Sequence, residues 1–247
     1  MPSPRPASPP CPTLRSFTAC AAVALACCAA MPAQAGRPLA TEDAGVLEAG
    51  DCELELYGAH QRLRPAGRER GVSLQGSCGA GHGVQAALAL QTTRERGTDQ
   101  AGRSDGGLLG FKARLLGNAD ADASLTLVGA AAWSRDGHRA YRRDSLAIGL
   151  AGSAALADGL TGHANLGHLG SQADHQRSTL WALAVEWAAA GSVDLGAELY
   201  GDDHRRPWAG LGLRWVATPT LTLGTSYALH TASGRARLFT LGLTAGF

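Results

Sequence analysis

From residue 208 to the end of the chain, bulky apolar residues and small ones alternate with a period of two. Leu211, Leu213 and Trp215 share one parity, and Gly210, Gly212 and Arg214 share the other. The next segment sets Leu221, Leu223, Thr225, Tyr227 and Leu229 against Thr222, Gly224, Ser226 and Ala228. The last sets Phe239, Leu241, Leu243, Ala245 and Phe247 against Thr240, Gly242 and Thr244. This is the period of a strand whose successive side chains point to opposite faces. A soluble sandwich would turn the large parity into a shared core. Large residues outside and small or polar ones inside are the pattern of a barrel wall standing in hydrocarbon.

The same rhythm divides the chain into segments of roughly ten residues, the length of a membrane-crossing strand, separated by Gly, Asp, Asn, Pro or Arg clusters. Twelve strands are predicted, near Asp51–Arg64, Gly71–Cys78, Val84–Arg94, Leu108–Leu116, Ala123–Ser134 and Ser145–Leu156, then near Leu160–Gly170, Thr179–Ala189, Ser192–Tyr200, Trp208–Val216, Leu221–His230 and Leu238–Phe247. The predicted fold is all-β: a closed antiparallel transmembrane barrel of about 12 strands. An even count places the N- and C-terminal ends of the wall on one side, the periplasm. No apolar run long enough for a membrane helix follows the first segment. A net charge of +1 argues against a basic nucleic-acid binder.

Residues 1–35 read differently. Arg5 and Arg15 precede an Ala-rich apolar stretch from Phe17 to Met31, and Ala33-Gln34-Ala35 closes it. A basic start, apolar middle and A-x-A end mark a secretory signal peptide cut after Ala35. A lipidation signal at Leu25-Ala26-Cys27-Cys28 is the weaker alternative, because its likeness to a lipobox is loose and a better cleavage site follows at Ala33-Gln34-Ala35. The expected organisation is therefore a signal peptide over 1–35, a periplasmic N-terminal leader over 36–50 and the barrel over 51–247, exported to the outer membrane.

Cys11, Cys20, Cys27 and Cys28 leave with the signal, so Cys52 and Cys78 remain, and in an oxidising compartment two cysteines read as one disulfide. If the first hairpin pairs residues whose numbers sum to 130, Leu56 faces Leu74, Leu54 faces Gly76 and Cys52 faces Cys78. The cysteines then share one face at the periplasmic edge.

Every second link between strands is basic. Arg62, Arg64, Arg68 and Arg70 flank the first, Arg94, Arg96 and Arg103 the third, and Arg135, Arg139, Arg142 and Arg143 the fifth. Arg177, then Arg205 and Arg206, then Arg235 and Arg237 complete the series. The intervening links are short and carry no arginine. Short turns on one rim and longer loops on the other characterise outer-membrane barrels. A basic outer rim faces the anionic phosphates of lipopolysaccharide. Outer-membrane lipid and lipopolysaccharide are thus expected partners. The terminal strand, with Phe239, Leu241 and Leu243 ending in Phe247, resembles the C-terminal signal read by the barrel-assembly machinery.

The small, polar parity puts charges into the lumen: Glu53, Glu55, Lys112, Arg114, His163, Asn165, Glu186, Asp194, Glu198 and Arg214. Burying each alone would cost several kcal/mol, so they must pair or line water. A salt-bridged plug and a polar conduit selecting solutes by charge both satisfy that requirement. His163 and His168 have metal-ligand spacing, but they lie on opposite parities of one strand and cannot share a site. His60 and His168 fall on the lipid-facing parity near the outer rim, without a serine at a convincing spacing, so no catalytic role is expected. No metal or cofactor is expected.

Arg37-Pro38-Leu39-Ala40-Thr41-Glu42-Asp43-Ala44-Gly45, the following Cys52-Glu53-Leu54-Glu55, Gly110-Phe111-Lys112-Ala113-Arg114 and Asn165-Leu166-Gly167 resemble the proteobacterial outer-membrane proteins of the MetA-pathway of phenol degradation family. That resemblance implies a transporter of small, often hydrophobic compounds and brings no catalytic residues. The expected function is a passive channel for small, hydrophobic or aromatic compounds. A structural or lipopolysaccharide-binding barrel without a pore is the alternative, and a lipid-modifying enzyme the third reading.

Overall fold

The computed structural model describes residues 39–62, 67–97, 102–118, 121–172, 175–232 and 236–247. The signal peptide expected over 1–35 lies outside them, as do Arg64 and Arg235. The described chain forms twelve strands: β1 (Cys52–Arg62), β2 (Arg68–Gly81), β3 (Val84–Arg96), β4 (Gly102–Leu116), β5 (Ala123–Asp136), β6 (Arg142–Ala157), β7 (Leu160–Ser171), β8 (Arg177–Ala190), β9 (Val193–Asp202), β10 (Trp208–Thr218), β11 (Leu221–His230) and β12 (Arg237–Gly246). Each strand pairs antiparallel with its neighbours in sequence, and β12 closes on β1, giving one closed barrel. Closure leaves no unpaired edge, which a strand in hydrocarbon cannot tolerate.

Strict alternation sorts the side chains. Leu54, Leu56, Leu74, Leu88, Leu90, Leu109, Leu211, Phe239 and Leu241 are exposed on the outer wall, while Glu53, Glu55, Gln75, Gln85, Lys112, Thr126 and Thr240 between them are buried inside. Polar interior and apolar exterior invert a soluble fold and match a lipid-facing wall. The seam is ordinary sheet: the Cys52 and Phe247 backbones exchange both hydrogen bonds at 2.9 Å. Phe247 itself stands outward and highly exposed, with Leu243, Leu241 and Phe239 ranked above it on the same face.

The first hairpin has the register expected from its sequence. Leu56 faces Leu74, Leu54 faces Gly76 and Cys52 faces Cys78, and the two cysteines are bonded. The links also alternate as expected. Residues 82–83, 158–159, 191–192 and 219–220 make tight turns on one rim (117–122 is its longer member), whereas the links on the opposite rim are five or six residues long. At His82-Gly83 both residues have positive φ, 53° and 70°. That is the conformation whose twist suits a two-residue hairpin.

Two features differ from the sequence expectation. β4 begins at Gly102, not near Leu108, because Arg103, Ser104 and Asp105 continue the pairing with β3 above the apolar belt. Ladder hydrogen bonds do not require apolar side chains. The inward face is also less uniformly small and polar than the alternation suggests. Tyr200, Trp208, Ala59, Ala182, Ala228 and Leu238 form a buried inward cluster toward the loop rim, and Ala89, Leu108 and Ala130 form another.

Candidate functional site

The lumen is occupied by the chain itself. From Gly50 back to Leu39 the N-terminal segment runs away from the turn rim and crosses the barrel, bonding in succession to β3, β4, β5, β6, β7 and β9. Its entry requires Gly79: a Cβ there would collide with the Glu48 and Leu47 carbonyl oxygens. Ala49 bridges to Gly79 at that point, and Gly50 donates to the Gly79 carbonyl at 3.3 Å. The expected leader over 36–50 thus has, in its described part, a seat inside the wall.

The segment is irregular, with bends at 39–41 and 44, and makes no backbone ladder with the barrel beyond Ala49. Its peptide groups must therefore be satisfied by side chains. Gln85 Oε1 accepts the Leu47 N–H at 2.9 Å, and Arg114 donates to the Val46 carbonyl at 3.2 Å and to Glu48 Oε1 at 2.7 Å. Lys112 Nζ donates to the Gly45 and Asp43 carbonyls at 3.0 and 3.2 Å. Thr126 Oγ1 donates to the Ala44 carbonyl at 2.6 Å, and Ser153 Oγ accepts the Ala44 N–H at 2.9 Å. Asn165 grips Glu42 twice: its Oδ1 accepts the N–H and its Nδ2 donates to the carbonyl, both at 2.7 Å. Glu198 accepts the Ala40 and Thr41 N–H groups at 3.0 and 2.9 Å and the Thr41 hydroxyl at 2.9 Å. Leu39 then lies so close to Gly196 that a Cβ there would meet its Cδ1 at 2.9 Å.

A charge lock lies at the centre. Lys112 is the only lysine in the chain and is fully buried. Its Nζ is 2.6 Å from Glu42 Oε1 and 3.6 Å from Asp43 Oδ1. Glu53 and Glu55 on β1 face the same interior, and Glu53 interacts electrostatically with Glu55, with Lys112 and with the two acids of the segment. A low-dielectric interior makes such a pairing strong, and makes a missing partner costly.

A second network lies beside the first. Arg214 Nε donates to Asp194 Oδ2 at 2.9 Å, and its Nη2 reaches Glu186 Oε2 at 3.3 Å. Arg214 and Asp194 are direct cross-strand partners, the favourable arrangement for opposite charges. Glu186 Oε2 is 3.6 Å from His163 Nε2, and His163 Nδ1 meets Ser153 Oγ at 2.9 Å. Serine, histidine and glutamate in series look like an acyl-transfer relay. Here the serine lies under the segment and already accepts the Ala44 N–H, so Ser153 is part of the segment's seat, with His163 and Glu186 in line behind it. From the sequence a serine partner is weighed only beside His60 and His168, not beside His163. The signal was the hairpin register, in which Ser153 faces His163 directly. A bulge between Ala155 and Ala157 offsets that register from the turn.

Every lumen position anticipated from the sequence faces inward: Glu53, Glu55, Lys112, Arg114, His163, Asn165, Glu186, Asp194, Glu198 and Arg214. The structure divides them between the segment's seat and the Arg214 network. Missed were Gln85, Thr126 and Ser153, whose polarity is too ordinary to stand out, and the segment that unites them all. Beyond it, toward the loop rim, Trp208 stacks on Tyr200 with centroids 6.3 Å apart and meets His230 edge-on at 5.1 Å. His60 and His168 point outward on separate strands, as expected. Among the described residues, no three His, Cys, Asp or Glu side chains converge as a metal site.

No family model matches the chain, and no curated protein matches it. The narrower likeness to the phenol-degradation family therefore gains nothing from these comparisons. Solved structures do match. The NanC porin aligns at a TM-score of 0.57 with 11% identity, covering 78% of this chain and 98% of its own. The KdgM porin aligns at 0.55 with 10% identity, covering 78% and 99%. The β domain of the Bordetella autotransporter BrkA aligns at 0.53 with 16% identity, covering 81% and 100%. At these identities the likeness is one of fold, and the fold is that of an outer-membrane β-barrel.

Proposed function

We propose that this protein is a passive outer-membrane channel for small compounds, held closed at rest by its own N-terminal segment. The observation that carries this reading is the chemistry of the seat. Residues 40–48 bury the small apolar side chains of Ala44 and Val46 and rest Ala40 on the Tyr200–Trp208 cluster, but they are tied to the wall by hydrogen bonds and ion pairs to lumen side chains, each of which water can replace once the segment moves. A permanent core would be expected to bury larger apolar side chains. Vacated, the same side chains form a polar passage crossed by Lys112, Arg114, Glu198 and Arg214, the kind of lining that selects solutes by charge. The inward Tyr200, Trp208 and Leu238 beyond it support the narrower reading, a solute of hydrophobic or aromatic character. The porins among the structural relatives fit the channel reading by fold analogy, which alone does not carry function.

Liposome swelling tests this directly. Vesicles containing the wild-type barrel should admit small neutral and aromatic solutes slowly. Vesicles with a Lys112→Met, Glu198→Ala double variant should admit them at least tenfold faster. Equal, negligible entry in both would favour the alternative, a structural barrel whose lumen is filled for good.

A further inference from the structure

One sector of the outer wall carries a ladder of arginines. Registers place Arg237 opposite Arg62, Arg62 opposite Arg68, and Arg68 opposite Arg96, one continuous row across β12, β1, β2 and β3. The row beneath runs from His60 to Arg70, Arg94 and Arg103 across β1 to β4. All these arginines are exposed and share the outward parity of Leu56, Leu74 and Leu90, which lie lower on the same strands. On the outward positions of β12 and β1–β4 the one carboxylate is Asp105, bound at 2.9 Å to Arg103 and at 3.2 Å to Arg135. Glu69 and Glu95, opposite each other in the same stretch, point inward.

Like charges placed directly across a strand pair repel and destabilise the sheet. Interleaved acids on the same face would have relieved the repulsion, yet the acids of these strands are turned to the lumen. The arrangement makes physical sense when an external anion sits among the guanidinium groups, and the planar forks of arginine suit phosphate oxygens bidentately. The ladder's position defines the anion further. It begins about four residues above the leucines of the apolar wall, roughly 13 Å at strand rise, and so stands at the level of lipid head groups.

We infer that the β12–β1–β2–β3–β4 sector binds the phosphate groups of a phosphorylated lipid whose acyl chains lie along Leu56, Leu74 and Leu90. One side of the barrel is thereby a fixed lipid site, whereas the remainder of the loop rim has scattered arginines. The inference is independent of whether the lumen conducts.

The test uses the full chain folded in detergent micelles, with bis-phosphorylated lipid A as the probe and native mass spectrometry as the readout. Wild-type protein should retain the lipid through dilution. A variant with Arg68→Gln, Arg70→Gln, Arg94→Gln and Arg96→Gln should retain at least tenfold less, and a control with Arg139→Gln, Arg142→Gln and Arg177→Gln should stay within twofold of wild type. Should the fourfold variant fail to fold, the Arg70→Gln, Arg94→Gln pair replaces it, with at least a threefold loss expected. Dephosphorylated lipid A should bind wild type no better than the fourfold variant binds the intact lipid. Equal retention by variant and wild type would overturn the inference, as would equal binding of the two lipids. Full displacement of lipid A by soluble tripolyphosphate would overturn the assignment to a lipid.

Discussion

Lys112 Nζ lies 2.6 Å from Glu42 Oε1, and both side chains are withdrawn from solvent. One partner belongs to the barrel wall and the other to the segment that fills the lumen, so this ion pair couples wall and plug. Removing one member of a buried pair leaves the other uncompensated, typically at a cost of about 3–5 kcal/mol. Lys112→Met should therefore expose residues 40–48 to limited proteolysis while leaving the β signature in circular dichroism intact. Lys112→Met combined with Glu42→Gln should recover part of the protection, since no charge is then stranded. Equal protease resistance in the wild type and the single variant would show that the pair does not hold the segment.

Glu198 anchors the other end through the Ala40 and Thr41 amides. Charged acceptors contribute roughly 1.5–3 kcal/mol per hydrogen bond. Glu198→Ala should accelerate hydrogen exchange at Ala40 and Thr41 by at least tenfold and leave β9 and β10 amides unchanged. Uniform acceleration throughout those strands would instead make Glu198 a support of the wall.

The lipid-facing assignment has its own test. Leu241 stands outward in mid-strand on β12. Arginine there should cost about 2–4 kcal/mol of folding stability in a bilayer, the penalty for a charge facing the midplane. Urea titration of vesicle-folded protein measures it. A change within 0.5 kcal/mol would mean that Leu241 meets water.

The Cys52–Cys78 bond spans 26 residues and ties β1 to β2. Loop-closure entropy sets its contribution at about 3–4 kcal/mol. Because the surrounding register does not depend on the bond, Cys52→Ala with Cys78→Ala should lower the urea midpoint and still give a closed, heat-modifiable barrel. Loss of folding altogether would mean that the bond sets the register.

His204 lies on an exposed loop between β9 and β10. Its Nε2 donates to the Arg177 carbonyl at 2.9 Å and lies 3.4 Å from Asp203. The carbonyl bond first, then the Asp203 charge, raise its pKa above the ordinary 6.5. The loop's added order is thus complete below the ring's unfolded pKa and fades as pH rises through the higher folded one. NMR titration should show a midpoint above 6.5, falling in Asp203→Asn. An unchanged midpoint in that variant would remove Asp203 from the cause.

Much of this molecule is legible in the chain because the wall obeys local rules. The alternation at Leu211, Leu213 and Trp215 fixes which face meets lipid, and the turn at His82-Gly83 fixes a hairpin. The Cys52–Cys78 pairing follows from register alone. Polar strand ends were harder to read: Arg103 and Asp105 continue β4 without any apolar signal, and the Ala155–Ala157 bulge hid the Ser153–His163 contact. The plug was illegible for a different reason. Residues 39–48 have no strand period, and their partners, from Gln85 to Glu198, are spread over more than a hundred positions, so only three-dimensional closure brings them together.

The central claim, that the N-terminal segment closes the lumen, is tested most directly by planar-bilayer current. The wild-type barrel should remain near the bare-membrane baseline, with rare brief openings. Protein carrying Lys112→Met, Asn165→Ala and Glu198→Ala should give sustained, discrete conductance steps. Identical currents from the two proteins, open or closed, would contradict the account.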